Sequence, residues 1–525
     1  MTTVTTVGPY LCALLVLLAP NAGLAQQDGR PISAIDWLQE ALNTPPPPAV
    51  APDPPLPQIE APAPVLPETH FETISVAPLG GAEPDSAGLF TAERIGLPRQ
   101  FWGAAPVEDI IAAIETLPTD TLPSAGRLGL RLLMAEFAPP DGLTLQTRGA
   151  LLLARIDRLI ALGALEQASQ LIEAAPDQTA ALRSRAFEIA LLLGEEDRAC
   201  AKMSGQISAT EGQAAQIFCM ARRGDWQAAW TGLQVARRLG LIDPTEGDLL
   251  LRFLEEEEAE FTQPPPQSIT PLGWRILEAL GEPVPTATLP VAFAHADLRG
   301  MSGWRAQLDA AERLTRIEAL QANRLFGLYT QRRPAASGGL WERVRAIQAL
   351  DRALAHGDAQ GVSERLPETW ALFSASELES AFATIHASAL ADLDLTGPAA
   401  DITWRMLLLA QERLDRAAAL APDTQLARFM MALAGAAPLP ALDSPDMASA
   451  IAQGFQDADL PDQVQANIAQ GAKGLVVLEA LGLIAQAAAG DPVAATRGLQ
   501  RLRAVGLEGE ARQIALELLL LERRG

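Results

Sequence analysis

The stretch LLLARIDRLIALGALEQASQLIEAAPD, residues 151–177, decides the fold class of this 525-residue chain. Its apolar residues recur at the spacing of one helical face, at Leu152, Ile156, Leu159 and Ile160. Gly163 interrupts the pattern, a second apolar face follows, and Pro176 ends it. Because the turn between the two helices is short, we predict an antiparallel helical hairpin.

The glycine of this turn belongs to a signal that recurs along the chain. It reads GALEQA, GEEDRA, GDWQAA, GDAQG and GDPVAA, starting at Gly163, Gly194, Gly224, Gly357 and Gly490. The first three glycines are 31 and 30 residues apart, which is near the period of helix-turn-helix repeats. In period and hairpin pattern, residues 145–254 resemble a degenerate tetratricopeptide array. The resemblance implies an all-α fold, an α-solenoid of antiparallel hairpins with an extended groove for a protein partner.

Composition agrees with helices and narrows the function. Aromatic residues make up 5% of the chain, and runs of β-branched residues are scarce, which disfavours a sheet. The net charge of −24 disfavours nucleic acid and anionic membranes as partners. Lysine occurs only at Lys202 and Lys473, which argues against Schiff-base chemistry.

The first residues predict export. The apolar run LCALLVLL, residues 11–18, precedes Gly23-Leu24-Ala25, a small-x-small cleavage signal. We expect a signal peptide cleaved after Ala25, although the residues before the run contain no Lys or Arg. An uncleaved anchor is the alternative. Together with the arginine-rich, lysine-poor composition, the leader predicts a periplasmic protein.

Proline and charge patterns divide the chain. Four consecutive prolines at residues 45–48 exclude helix, and an acidic run followed by three prolines at residues 255–266 marks a boundary. The apolar run at 475–489 is too short to span a membrane, so we predict no transmembrane segment in the mature chain. The predicted segments are a signal peptide 1–25, a short amphipathic segment 26–43, a disordered Pro-rich arm 44–68, an irregular segment 69–99, an N-terminal helical-repeat region 100–262 and a C-terminal helical region 263–525.

Residues 32–42 of the amphipathic segment are a candidate docking helix. Three apolar residues fall on one helical face and a tryptophan lies beside them: Ile35, Leu38, Leu42 and Trp37. A helix this short is marginal alone, so we expect it to dock in a groove of its own chain or on a partner. A simple tether is the alternative.

Two cysteines, Cys200 and Cys219, remain once the leader with Cys12 is removed. Helix signals place them across one hairpin. No other Cys or His stands nearby to complete a zinc site, and the C-x-x-C string of thiol redox enzymes is absent. In an oxidising compartment a disulfide is the simplest interpretation, and two reduced buried thiols are the alternative.

No standard catalytic string occurs in the sequence, and we predict no enzyme activity, no metal and no cofactor. One fragment, Glu379-Ser380-Ala381-Phe382, faintly resembles the Glu-Ser motif of lytic transglycosylases, which also carry a helical superhelix. The Gly-Leu-Met-Gln element that should follow it is absent. The fragment also fits an amphipathic helix.

Residues 323–344 form the most unusual internal stretch. They place four candidate partner-binding residues between two helical runs: Tyr329, Arg332, Arg333 and Trp341. Paired arginines beside aromatics suit a carboxylate or a protein partner; an inter-helix loop with locally paired arginines is the alternative. Trp226 and Trp230 line either a binding face or the helix core.

The sequence thus predicts an exported, non-enzymatic scaffold or adaptor that mediates protein–protein interactions in the cell envelope. The alternative is a peptidoglycan-related enzyme or glycan-strand binder. We expect the final helix to pack as an end cap on the helix before it, with weak self-association as its less favoured use.

Overall fold

The computed structural model describes residues 83–203, 212–255, 269–334, 336–442, 447–457 and 459–521. The chain divides into two compact units, Met1–Ala77 and Pro78–Gly525, and every described residue belongs to the second. The all-α class is confirmed. Within the described ranges the strands are limited to β1 (Phe90–Thr91) and β2 (Ala135–Glu136), which pair in parallel.

The α-helices of the described residues are numbered here in chain order. They are α1 (Val107–Glu115), α2 (Pro123–Met134), α3 (Ala150–Ala161), α4 (Leu165–Ala174), α5 (Ala180–Leu193), α6 (Glu196–Met203), α7 (Gln213–Arg222), α8 (Trp226–Arg238), α9 (Pro244–Leu254), α10 (Pro271–Ala279), α11 (Ala294–Asp297), α12 (Trp304–Arg316), α13 (Ala322–Thr330), α14 (Gly339–Ala355), α15 (Ala359–Ser374), α16 (Glu379–Ala391), α17 (Pro398–Ala410), α18 (Leu414–Leu420), α19 (Gln425–Ala434), α20 (Met447–Gly454), α21 (Asp462–Ala469), α22 (Lys473–Ala488), α23 (Pro492–Ala504) and α24 (Glu508–Leu520). No helix in these ranges is long and apolar enough to cross a membrane.

The hairpin predicted at residues 151–177 is formed by α3 and α4. Gly163 joins them at φ 71°, in the left-handed region that glycine adopts without steric cost. On the predicted face, Leu152, Ile156 and Leu159 are buried and Ile160 is half-buried against the core. The four other glycines of the recurring signal also join consecutive helices: α5 to α6, α7 to α8, α14 to α15, and α22 to α23. The turn signal therefore identified five helix pairs.

Helices from the two ends of the described unit pack against each other. Helix α1 contacts α22, and α2 contacts α22 and α24. Backbone hydrogen bonds join the same regions: the Ala104 N–H donates to the Gln470 carbonyl at 3.2 Å, and the Gly474 N–H to the Phe101 carbonyl at 2.8 Å. In a linear repeat array each unit contacts only its neighbours in sequence. The contacts between the first and last helices of the described residues are therefore not those of a linear array.

The final helix has more neighbours than the sequence predicts. Helix α24 does pack on α23, but it also contacts α2, α17, α19 and α20. Its apolar residues Ile514, Leu516 and Leu520 are buried. The predicted packing of this helix on the one before it is therefore confirmed, and the helix is also buried against four others. Its weak self-association stays a prediction.

A buried arginine attaches residues 83–91 to the helices. Arg155 of α3 donates to the carbonyls of Leu133, Ala87 and Ala135, each at 2.8 Å. Asp85 in turn accepts from the backbone N–H groups of Gly149 at 2.6 Å and Leu152 at 2.8 Å, at the start of the same helix. These contacts order part of the segment that the sequence marks as irregular.

Candidate binding groove

A groove of about 850 Å³ opens among the helices of residues 169–272. Its walls come from α4, α5, α6 and α7, with single residues from α9 and α10. Three buried apolar side chains, Ile172, Phe187 and Leu272, contribute to the lining. Since Leu272 follows the boundary predicted at residue 262, the groove spans both predicted helical regions.

Small residues on facing helices leave this space open. Helix α5 contributes Ala180, Ala181 and Ser184, and α7 contributes Ala214 and Ala215. Helix α5 begins after Thr179, whose hydroxyl accepts from the Leu182 N–H at 3.3 Å and caps the helix. Alanine and serine side chains are too short to fill the space between these neighbouring helices. The two helices therefore form walls of a groove and do not pack closely against each other.

A disulfide joins the two helices of one wall. Cys200 of α6 and Cys219 of α7 are bonded through their Sγ atoms, with Cα atoms 5.2 Å apart, and both side chains are buried. The structure therefore has the predicted bridge and not two separate thiols. An ion pair also holds this wall, since Glu196 of α6 pairs with Arg275 of α10 at 2.8 Å.

The rim at α4 and α6 carries paired charges. Glu173 accepts from Arg198 at 3.1 Å and from Lys202 at 3.3 Å. Arg198 also reaches Glu195 at 3.3 Å. All four side chains line the groove and are exposed. This part of the rim is charged but close to neutral.

The charges of the wall at α5 are less evenly paired than those of the rim. Arg185 donates to both carboxylate oxygens of Asp157, at 2.9 and 3.2 Å. Glu188 is half-buried in the groove lining and forms no ion pair with a described residue. Burial raises the pKa of Glu188; Arg185 and a hydrogen bond from Ser184 oppose that rise, while the carboxylates of Asp157 and Glu246 add to it. A carboxyl with an unmet charge therefore lies beside the apolar lining.

The structure distributes the predicted residues of the 323–344 stretch over different environments. Tyr329 is fully buried, and its hydroxyl donates to Glu312 at 2.5 Å, so this residue is removed from the candidate surface. Arg332 and Arg333 are exposed and form no ion pair with a described residue. Trp341 is half-buried against Trp304, with ring centroids 5.0 Å apart. None of the four lines the groove.

The remaining aromatic candidates also lie apart from it. Trp226 is 50% exposed, with its ring centroid 6.0 Å from that of Phe253, and Trp230 is half-buried. The candidate docking residues Ile35, Trp37, Leu38 and Leu42 lie outside the described residues.

Two places in the structure bring together residue types that are common in catalysis, namely Glu379 with Ser380 and His386 with Asp351. Glu379 and Ser380 begin α16, and both are buried outside the groove lining. His386 contacts Asp351 at 2.9 Å with one ring nitrogen and the Phe382 carbonyl at 3.2 Å with the other. Both ring nitrogens therefore have hydrogen-bond partners, and His386 does not line the groove. In the ranges that the structure covers, no three His, Cys, Asp or Glu side chains group as metal ligands.

The resemblance implied a groove in the repeats, but the sequence did not indicate which residues line it. Its lining is mostly alanine, serine and ordinary charged residues drawn from separate helices, which form no motif. No family model, curated protein or solved structure matches the chain. The fold and this groove therefore carry the functional argument.

Proposed function

We propose that this chain is an exported, non-enzymatic helical-repeat adaptor of the cell envelope that binds a segment of a partner protein in the α4–α7 groove. One observation carries the proposal, namely the groove itself, with about 850 Å³ of space. That volume lies within the range of roughly 300–1,000 Å³ typical of ligand sites.

The lining chemistry favours a polypeptide as the occupant. Ile172, Phe187 and Leu272 offer an apolar surface for aliphatic or aromatic side chains, while Glu173 and Arg198 offer charges at the rim. Segments that bind in helical grooves place apolar anchors inward and polar groups at the edge. A glycan would bring many hydroxyls, and the apolar part of this lining would leave those hydroxyls without hydrogen-bond partners.

The solenoid arrangement is part of the proposal, restricted to residues 145–254. It is supported by the hairpins at Gly163, Gly194 and Gly224, which recur at 31 and 30 residues and flank the groove. Stacked hairpins of this kind present concave surfaces to partners.

Export to the periplasm is proposed from the sequence of residues 11–25. A disulfide between Cys200 and Cys219 agrees with it, because such bridges persist in oxidising compartments. We also retain the Pro-rich arm as a flexible tether, with the segment at Trp37 and Leu38 as its docking end. The arm and its docking end rest on sequence pattern alone.

Site-specific crosslinking tests the adaptor function. A photoreactive amino acid at Ser184, in the groove lining, is compared with one at Gln227, exposed on α8 outside it. In envelope extract we expect a polypeptide adduct at position 184 and none at 227. Peptide mapping of that adduct should give one contiguous segment of the partner.

A murein-binding assay, read together with the crosslinking result, distinguishes the adaptor function from the peptidoglycan alternative. Purified murein is added to the full chain and to a Ser184→Trp variant that fills the groove. Retention on murein that Ser184→Trp abolishes, without any polypeptide adduct at position 184, would replace the adaptor by a glycan binder. Adducts of equal yield at 184 and 227 would mean that the groove is not the site.

A further inference from the structure

We propose that the segment bound in the groove presents a lysine or arginine side chain to Glu188, next to an apolar anchor on Phe187. The inference deepens the adaptor function and rests on it. It assigns a chemical class to the ligand, namely a short polypeptide segment with a basic residue close to an aliphatic or aromatic one.

Glu188 differs from the other carboxylates of the α4–α6 walls in having no cationic partner. Glu173 and Glu195 both pair with Arg198 at the rim. Glu246 of α9, like Glu188, forms no ion pair with a described residue, and its carboxylate accepts from the Thr270 hydroxyl at 2.7 Å. Among the described residues Glu188 has no ion pair, although it is half-buried in the wall.

The surrounding charges leave a deficit of positive charge at this point. Asp157 and Glu246 both act on Glu188 as like charges, and Arg185 is the nearby cation. Both of its hydrogen bonds in the groove wall go to Asp157. Partial burial removes water from Glu188, and the neutral Ser184 hydroxyl replaces it only in part. Burial costs an ionised carboxylate less when a cation lies against it.

Arg183 is the other cation of α5, and its hydrogen bond lies at the opposite end of the wall from Glu188. It donates to the Gln178 backbone carbonyl just before the start of α5. Five residues of helix separate it from Glu188, which is roughly 7.5 Å along the axis. Phe187 adjoins Glu188 in the chain, and both line the groove. A ligand cation at Glu188 therefore lies beside the apolar lining and away from Arg183.

Selection from a random peptide library tests the inference even though the partner is unidentified. Short peptides displayed on phage are selected against the mature full chain, and the enriched peptides are synthesised. Their affinities are measured by fluorescence anisotropy for the wild type, Ser184→Trp, Glu188→Gln and Glu364→Gln. Glu364 is an exposed glutamate of α15 outside the groove, so its variant controls for loss of one negative charge.

We expect the enriched peptides to contain a basic residue beside an apolar one. Glu188→Gln should weaken them about 10- to 100-fold, the range for losing a charge-assisted hydrogen bond, and Glu364→Gln should not. Glu188→Lys should recover binding to a peptide whose basic residue is changed to glutamate.

The outcomes distinguish the two proposals. If Ser184→Trp abolishes binding but Glu188→Gln leaves it unchanged, or if the peptides lack basic residues, the groove binds polypeptide and the Glu188 inference is overturned. If no peptide is enriched, or if Ser184→Trp has no effect on binding, the adaptor function itself fails. Circular dichroism of each variant confirms that it is folded.

Discussion

Ser124 and Glu517 are 393 residues apart in the chain and share two hydrogen bonds. The Ser124 N–H donates to Glu517 Oε2 at 2.9 Å, and the Ser124 hydroxyl donates to Oε1 at 2.6 Å. Arg127 reaches the same carboxylate at 3.4 Å, and the Glu517 side chain is fully buried. These contacts join α2 to α24, so a buried carboxylate holds together helices from the two ends of the described residues.

Replacement of Glu517 by alanine should destabilise the protein by about 3 kcal/mol, because the buried Ser124 N–H and hydroxyl lose their acceptor. Arg127 loses one of its two carboxylate partners and keeps Glu318 at 3.1 Å. The free energy of unfolding in urea measures the effect. Glu510→Ala is the matched control on the same helix, since Glu510 forms a partly exposed pair with Arg131 at 3.3 Å. The control should cost less than about 1 kcal/mol. Equal losses for the two variants would contradict a special role for Glu517.

The stability contributed by Glu517 should depend on pH. Burial raises the pKa of Glu517 above its ordinary value of 4.5, and it outweighs the opposing effect of Arg127. The folded state therefore holds this proton more tightly than the unfolded state does, so the group favours folding most at acid pH. We expect the stability of the wild type relative to Glu517→Gln to fall as pH rises through 4.5 towards the raised pKa. A difference that grows over that interval would reverse the sign of the inferred shift.

Gly474→Ala should disrupt the seam between α22 and residues 101–102. A β-carbon at Gly474 would overlap the Trp102 ring and approach Phe101 Cδ1 to 2.9 Å. Overpacking of this kind costs about 1–3 kcal/mol. Gly482→Ala on the same helix meets no atom within 4 Å and should be stabilising by roughly 0.5–1 kcal/mol, as alanine favours helix. Thermal unfolding of both variants checks the prediction, and a neutral Gly474→Ala would show that the seam can relax.

Removal of the Cys200–Cys219 disulfide should lower stability by about 3 kcal/mol in the chain-entropy model, given the 19-residue separation. The double serine variant is compared with the wild type in denaturant, with and without reductant. Reductant should lower the stability of the wild type alone. Mass spectrometry of the non-reduced protein should show the linked peptides, and two alkylatable thiols in that protein would count against the bridge.

Arg155→Met should cost about 3 kcal/mol or more, because the carbonyls of Leu133, Ala87 and Ala135 lose their donor inside the core. The pKa of Arg155 is lowered by burial to about 10, so the side chain is still charged at neutral pH. Arg158→Met is the matched control on α3, where a single 3.3 Å bond to the Glu115 carbonyl is lost. Hydrogen exchange of residues 83–91 should increase in Arg155→Met and not in the control.

The sequence predicts local structure here better than it predicts assembly. Leu152, Ile156 and Leu159 repeat with the helical period, and Gly163 marks the turn, because both signals depend on residues close in the chain. Tyr329 was misjudged because the arginines that follow it suggested an exposed loop. It lies three residues after Phe326, and the two rings, 5.7 Å apart, both turn into the core.

Long-range partners leave no comparable signal. Glu517 lies in an apolar run at the end of the chain, and nothing in that run indicates that Ser124 is its partner. Ser184 and Ala215 likewise have the composition of ordinary helix surface, and only the relative placement of α5 and α7 makes them groove residues. A periodic pattern shows which face of a helix is buried but not which helix covers it.

The pairing of α2 with α24 also constrains when the protein can fold. Ribosomes deliver helix α2 early, yet its Ser124 meets no Glu517 until 393 further residues have been made. Contacts between residues far apart in the chain slow folding, and apolar surface stays exposed until they form. During synthesis α2 cannot pack on α24 until α24 has been made. A fragment that contains α2 but ends before α24 should therefore depend on chaperones more than the full chain does.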